Sequence, residues 1–104
     1  MPTTVIMSVA REAVQAQLDG LLVDLLNARK VYSLSDSAYR ARVETALLVA
    51  FMLGHKNPPS HVQKGRIKQH VDSISKLRSN PDIKPGPFMV VLQENLLGAF
   101  KMGD

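Results

Sequence analysis

The chain has no cysteine and no tryptophan. Without thiols it can form no disulfide, hold no metal through thiolate and perform no thiol catalysis. A chain of 104 residues that does without disulfides reads as an intracellular, cytoplasmic protein. Aromatic residues are scarce: Tyr32, Tyr39, Phe51, Phe88 and Phe100. None is interleaved with the main group of lysines and arginines, so the stacking platform of a single-strand nucleic-acid binder is missing. Long apolar runs are missing too. The longest, Ala46 to Leu53, has eight residues, where a bilayer span needs about twenty. Membrane insertion is therefore not expected. Met1 to Val9 lacks the basic start and apolar core of a secretory leader.

The patterns of an active site are also absent. The only histidines are His55, His61 and His70. His61 and His70 fall nearly opposite each other on one predicted helix, and His55 lies in a loop before two prolines, so they do not converge on one metal ion. There is no Gly-x-Ser-x-Gly, no zinc-binding His-Glu-x-x-His and no EF-hand spacing. Lys64-Gly65-Arg66 lacks the other glycines and the preceding strand of a phosphate loop. Asp19 and Asp24 are five apart and read as surface acids. These absences point to a protein that is not an enzyme, has no cofactor, no metal site and no small-molecule substrate.

What is present is a helical pattern. Apolar residues make up 45% of the chain, enough to build one folded domain over residues 1–104. Val14, Leu18, Leu21, Leu22 and Leu25 recur at helical spacing and predict a helix from Val9 to Ala28. Ser8 is its candidate cap, and residues 1–7 form a lead-in or a short edge strand. Gly20, inside this helix, is either a tolerated weak point or the mark of a close helix crossing. Arg29 and Lys30 suit its C-terminus. A second helix is predicted from Asp36 to Leu53, capped by Ser33 or Ser35 and stopped by Gly54 in a left-handed conformation. Ala38, Val43, Ala46 and Leu47 point inward in its first half. Its second half, Ala46 to Leu53, is apolar all round and calls for enclosure on several sides, by other helices or by a second copy.

Pro58 and Pro59 break the chain, and Ser60 caps a third helix from His61 to Arg78. Ile67, Val71, Ile74 and Leu77 form its apolar stripe. Pro85, Gly86 and Pro87 make another break. Phe88 to Phe100 is read as a last helix, although Phe88 to Leu92 is β-prone enough to be a strand paired with Val5 to Met7. The fold class that follows is all-α, a compact bundle of three or four helices. So many apolar positions on a small surface favour a homodimer.

Charge is unevenly spread. From His55 to Lys84 seven basic residues stand against Asp72 and Asp82, a local charge of +5, while the rest of the chain carries −1. Within that segment His61, Lys64, Arg66, Lys68, Lys76 and Arg78 are the candidate nucleic-acid-binding residues. Lys64 and Lys68 lie one turn apart, and a phosphate backbone could follow the cluster for about 25 Å of helix. The break from Gly54 to Ser60 is longer than the usual helix-turn-helix connection. In plan, long helices with basic residues along one side, the chain resembles small dimeric helical proteins of viral origin that coat duplex RNA. The leading expectation is thus a dimer that grips duplex RNA or DNA through phosphate contacts, without reading sequence. The alternative is a helical interaction or assembly protein that uses its apolar helices to bind itself or a partner protein.

Overall fold

The computed structural model describes residues 2–29, 34–78 and 84–103, with residues 2–11 described as backbone only. Four helices follow one another: α1 (Pro2–Arg29), α2 (Asp36–Gly54), α3 (His61–Arg78) and α4 (Pro85–Phe100). Among the described residues there is no strand. Together they form a compact four-helix all-α bundle. No helix of the described residues is long and apolar enough to cross a membrane.

Local chemistry sets the helix starts. Ser35, in an extended conformation, accepts a hydrogen bond from the Ala38 amide through its hydroxyl at 3.1 Å. Ser35 is thus the cap of α2, while Ser33 lies outside the described residues. At α3 the Ser60 hydroxyl accepts from the Gln63 amide at 3.2 Å, and the Gln63 side-chain oxygen accepts from the Ser60 amide at 2.8 Å. That reciprocal pair satisfies two amides the helix leaves open. Lys84 precedes α4, and prolines occupy its first turn, where the missing amide costs nothing.

Three expectations about the ends need correction. The backbone is helical from Pro2, so α1 takes in both the lead-in and Ser8, and Val5 to Met7 is no edge strand. Phe88 to Leu92 is helix, which brings Phe88, Leu92, Leu96 and Ala99 onto one buried stripe; as a strand, Val90 would share the inward face with Phe88 and Leu92, and it is exposed. Gly54 does not take a left-handed conformation: among the described residues no glycine has positive φ. His55 ends α2 in an extended conformation instead. Gly54 is small for another reason. A Cβ there would overlap the carbonyl oxygen of Phe100 and lie 3.0 Å from its ring. Among the described residues Gly20 has nothing within 4 Å, so it marks no close crossing with any of them.

α2 and α4 make the central pair, with α3 packed chiefly on α2 and α1 on both. Tyr39, Val43, Leu47, Ala50 and Phe51 carry the α2 side of the core. Ile67, Val71 and Ile74 meet them from α3, Phe88, Leu92 and Leu96 from α4, and Leu18 and Leu25 from α1. Each large side chain buried in this way contributes about 1.5–3 kcal/mol. Buried Tyr39 donates its hydroxyl to the Leu25 carbonyl at 3.2 Å. Burial pushes its phenol up to about 12, against the opposing pull of the Arg78 and Arg29 charges.

Candidate association surface

The six residues proposed for polyanion binding do not share a face. His61, Lys64 and Lys68 are exposed on the flank of α3 that looks toward α2. There Lys64 and Lys68 line a groove of about 530 Å³ with Arg40, Glu44 and an apolar floor of Leu48, Ile67 and Val71. Lys76 sits in a separate depression beside Asp36 and Asp72. Arg66 lies on the other flank and donates to the Gly103 carbonyl at 3.3 Å. Arg78 is a structural tie, its side chain only 10% exposed. It donates to the carbonyls of Leu34 (2.8 Å) and Ser35 (3.2 Å) and to the Asp36 carboxylate (3.2 Å). Its guanidinium also lies 4.6 Å from the Tyr39 ring centre. Arg40 on α2 is paired with Asp72.

The outer side of α3 is not uniformly polar either. Val62 is 62% exposed and lies between the lysine flank and Arg66. Elsewhere Val23 on α1 and Met89 and Val90 on α4 are exposed. These findings overturn the leading expectation. The exposed surface is apolar where a nucleic-acid-gripping face should be basic, and the cations are divided among grooves, a carboxylate-bound tie and the chain end. Duplex RNA and DNA fall as partners, and the likeness in plan to viral duplex-RNA-coating proteins falls with them.

The apolar exposure is most coherent on α2. Its inward face is complete: Tyr39, Val43, Ala46, Leu47, Ala50 and Phe51 are buried. The opposite side carries Ala41, Thr45, Val49 and Met52 together with Ala38, which was expected to point inward but falls on this face because the buried stripe runs through Tyr39, Val43 and Ala46; the three- and four-residue steps keep one face. Val49 is 41% and Met52 60% exposed. Thr45 turns its hydroxyl onto the Ala41 carbonyl at 3.0 Å, which satisfies its donor within the helix. Charge is confined to the two edges of this face, Arg42 on one and Glu44 on the other. The Arg42 edge runs into a groove of about 520 Å³ between α1 and α2, floored by Leu21, Leu25 and Ala46 and rimmed also by Asp24. The all-round apolar half of α2 is thus enclosed on its inner sides by the other helices and left open on its outer side.

Two groups at the far end of the bundle have structural roles that the sequence reading did not assign to them. Gln63 is buried: besides capping α3, its side-chain amide donates to the Gly103 carbonyl at 3.3 Å. Its signal was legible in the Ser60-x-x-Gln63 spacing. His55 is stacked on Phe51, with ring centres 3.7 Å apart. Its Nδ1 lies 2.6 Å from the Phe51 carbonyl oxygen and its Nε2 2.6 Å from that of Met102. A carbonyl only accepts, so both bonds form together only when both ring nitrogens carry hydrogen. No local pattern announces that contact, because its partners are 47 residues apart. Set against protein-family models, curated proteins and solved structures, the chain matches none of them.

Proposed function

We propose that this is a non-enzymatic helical interaction protein that works by association through its apolar outer surface, first of all with a second copy of itself as a homodimer. The observation that carries this reading is the outer face of α2, where Val49 and Met52 stand exposed with Ala41 and Thr45 and with no charge between them. A surface helix normally turns a polar face to water, and a helix apolar on both sides has a second neighbour to bury against. Closed twofold dimers are the commonest way for a small chain to supply one.

The test is sedimentation of the wild-type chain beside Val49→Asp and Met52→Asp. Both positions are exposed, so each change leaves the fold within roughly 0.5 kcal/mol of wild type. The wild type is expected to show a concentration-dependent dimer, and the two variants a folded monomer with unchanged helix content. A wild-type chain that stays monomeric up to its solubility limit would refute self-association.

A further inference from the structure

We propose that His55 is a pH-sensitive latch on the chain end: as an imidazolium it clasps the segment Lys101 to Gly103 to the bundle, and on losing one proton it lets Met102 go. The proposal goes beyond the association reading and does not depend on it. His55 directly follows α2, and its ring bridges two helix ends. Nδ1 meets the carbonyl oxygen of Phe51, in the last turn of α2, at 2.6 Å. Nε2 meets the carbonyl oxygen of Met102 at 2.6 Å. Met102 follows the last turn of α4, where its amide donates to the Ala99 carbonyl at 3.4 Å. Both helices turn their negative ends to this point, which favours a cation there. The Phe51 ring, stacked 3.7 Å away and within 3° of parallel, adds its π face.

Neutral imidazole has one N–H and one bare nitrogen. At these distances the bare nitrogen would set its lone pair against a carbonyl oxygen, so one of the two bonds turns repulsive. The Phe51 bond spans four residues and is kept by the helix end, whereas the Met102 bond joins residues 47 apart. The neutral ring therefore keeps the local bond and drops the distant one. The other charged groups at this end are Lys56 beside His55, Lys101 beside Met102, and His61 and Arg66 on α3. Those cations oppose the imidazolium, while the helix ends and both carbonyls favour it. Among the described residues no carboxylate is paired with His55, and Asp104 lies outside them. His70 is bonded to Asn95 on α4. Gln63 and Arg66 also hold the chain end, each donating to the Gly103 carbonyl at 3.3 Å, and neither changes charge near neutrality. They keep Gly103 close when the latch opens, and the side chain set free is that of Met102, which is buried when the latch is closed.

The test is an NMR titration of the full chain from about pH 5 to about pH 8, the range in which histidine changes charge. It follows the ring nitrogens of His55 and the methyl group of Met102 together. At the acid end both ring nitrogens are expected to carry hydrogen, with the Met102 methyl in one buried environment. As the pH rises the methyl is expected to move toward its unfolded-chain position with the same midpoint as His55. Protection of the Met102 amide, corrected for intrinsic exchange, should fall about ten- to a hundredfold, the worth of one charge-assisted bond. His55→Gln should make the Met102 signal independent of pH, and His61→Gln should leave the titration unchanged. A Met102 signal that stays fixed while His55 titrates would overturn the proposal, and so would a His55 ring with a single hydrogen over the whole range. A pH-dependent Met102 signal in His55→Gln would overturn it as well, because another group would then be responsible. Should His55→Gln fail to fold, the wild-type titration alone decides.

Discussion

Replacing Gly54 by alanine should destabilise the protein, while the same change at Gly20 should stabilise it. Both glycines are helical, and in a helix interior alanine is favoured over glycine by about 1 kcal/mol. Only the surroundings differ. At Gly20 an added Cβ meets nothing within 4 Å, so the gain is realised, about 0.5–1 kcal/mol. At Gly54 the Cβ would overlap the Phe100 carbonyl oxygen, with the carbonyl carbon at 3.2 Å and the ring at 3.0 Å. The oxygen belongs to the backbone at the end of α4 and cannot swing aside as a side-chain tip would. Either α4 or the end of α2 has to move. Overpacking of this kind costs about 1–3 kcal/mol, and against backbone at so close an approach it outweighs the helix gain and leaves a net loss of up to about 2 kcal/mol. For a domain of this size each kcal/mol moves the midpoint by about 4–8 °C. Thermal and urea melts followed by circular dichroism should show Gly54→Ala melting below wild type and Gly20→Ala above it. If Gly54→Ala were stabilised as much as Gly20→Ala, the close approach of α2 and α4 at that end would be wrong.

Arg78→Ala should lower stability by about 2–4 kcal/mol in urea melts, because it removes charge-assisted bonds from a nearly buried guanidinium; Arg78→Lys should recover only part of the loss, a point charge being unable to reach three acceptors at once. His55→Ala should cost about 1–3 kcal/mol and, by hydrogen exchange, loosen the chain at Lys101 to Gly103, whose nearest tie to α2 is the bond from His55 to the Met102 carbonyl. Alkaline stability should reflect Tyr39. Its phenol holds its proton to about 12 in the fold against 10.0 in the open chain. The unfolded chain therefore ionises first, and stability is kept below pH 10 and lost as pH rises from there through 12. Urea melts across that window check the sign, and Tyr39→Phe should flatten the decline; an unchanged decline would count against the buried phenol.

Much of the fold is legible in the order of residues. Ser35 with Ala38, and Ser60 with Gln63, start α2 and α3 through bonds that span three residues, so their signal survives without tertiary information. Phe88 to Leu92 was ambiguous for a local reason: five apolar residues support a strand or a helix equally. Packing of Phe88, Leu92, Leu96 and Ala99 on α2 decided for helix. The candidate site was much less legible. Lysine and arginine look alike on a helical wheel whether they face water or reach a neighbouring helix. Arg78 is a cation in sequence and a clamp in the fold, because Leu34 to Asp36, more than 40 residues away, supply its acceptors.

Sequence alone determined that the chain is helical, where α2 and α3 begin and which stripe of α3 turns inward, since these follow from hydrogen bonds and apolar spacing within a few turns; for α2 it placed Val43, Ala46 and Leu47 inward correctly and Ala38 wrongly. It also showed that Ala46 to Leu53 has too much apolar surface for an ordinary wet helix. Only the tertiary structure decided which part of that surface stays exposed. Three neighbouring helices cover the inner side of α2 and leave Val49 and Met52 outside. The count and placement of neighbours is a property of the whole assembly, and no periodicity within one helix encodes it.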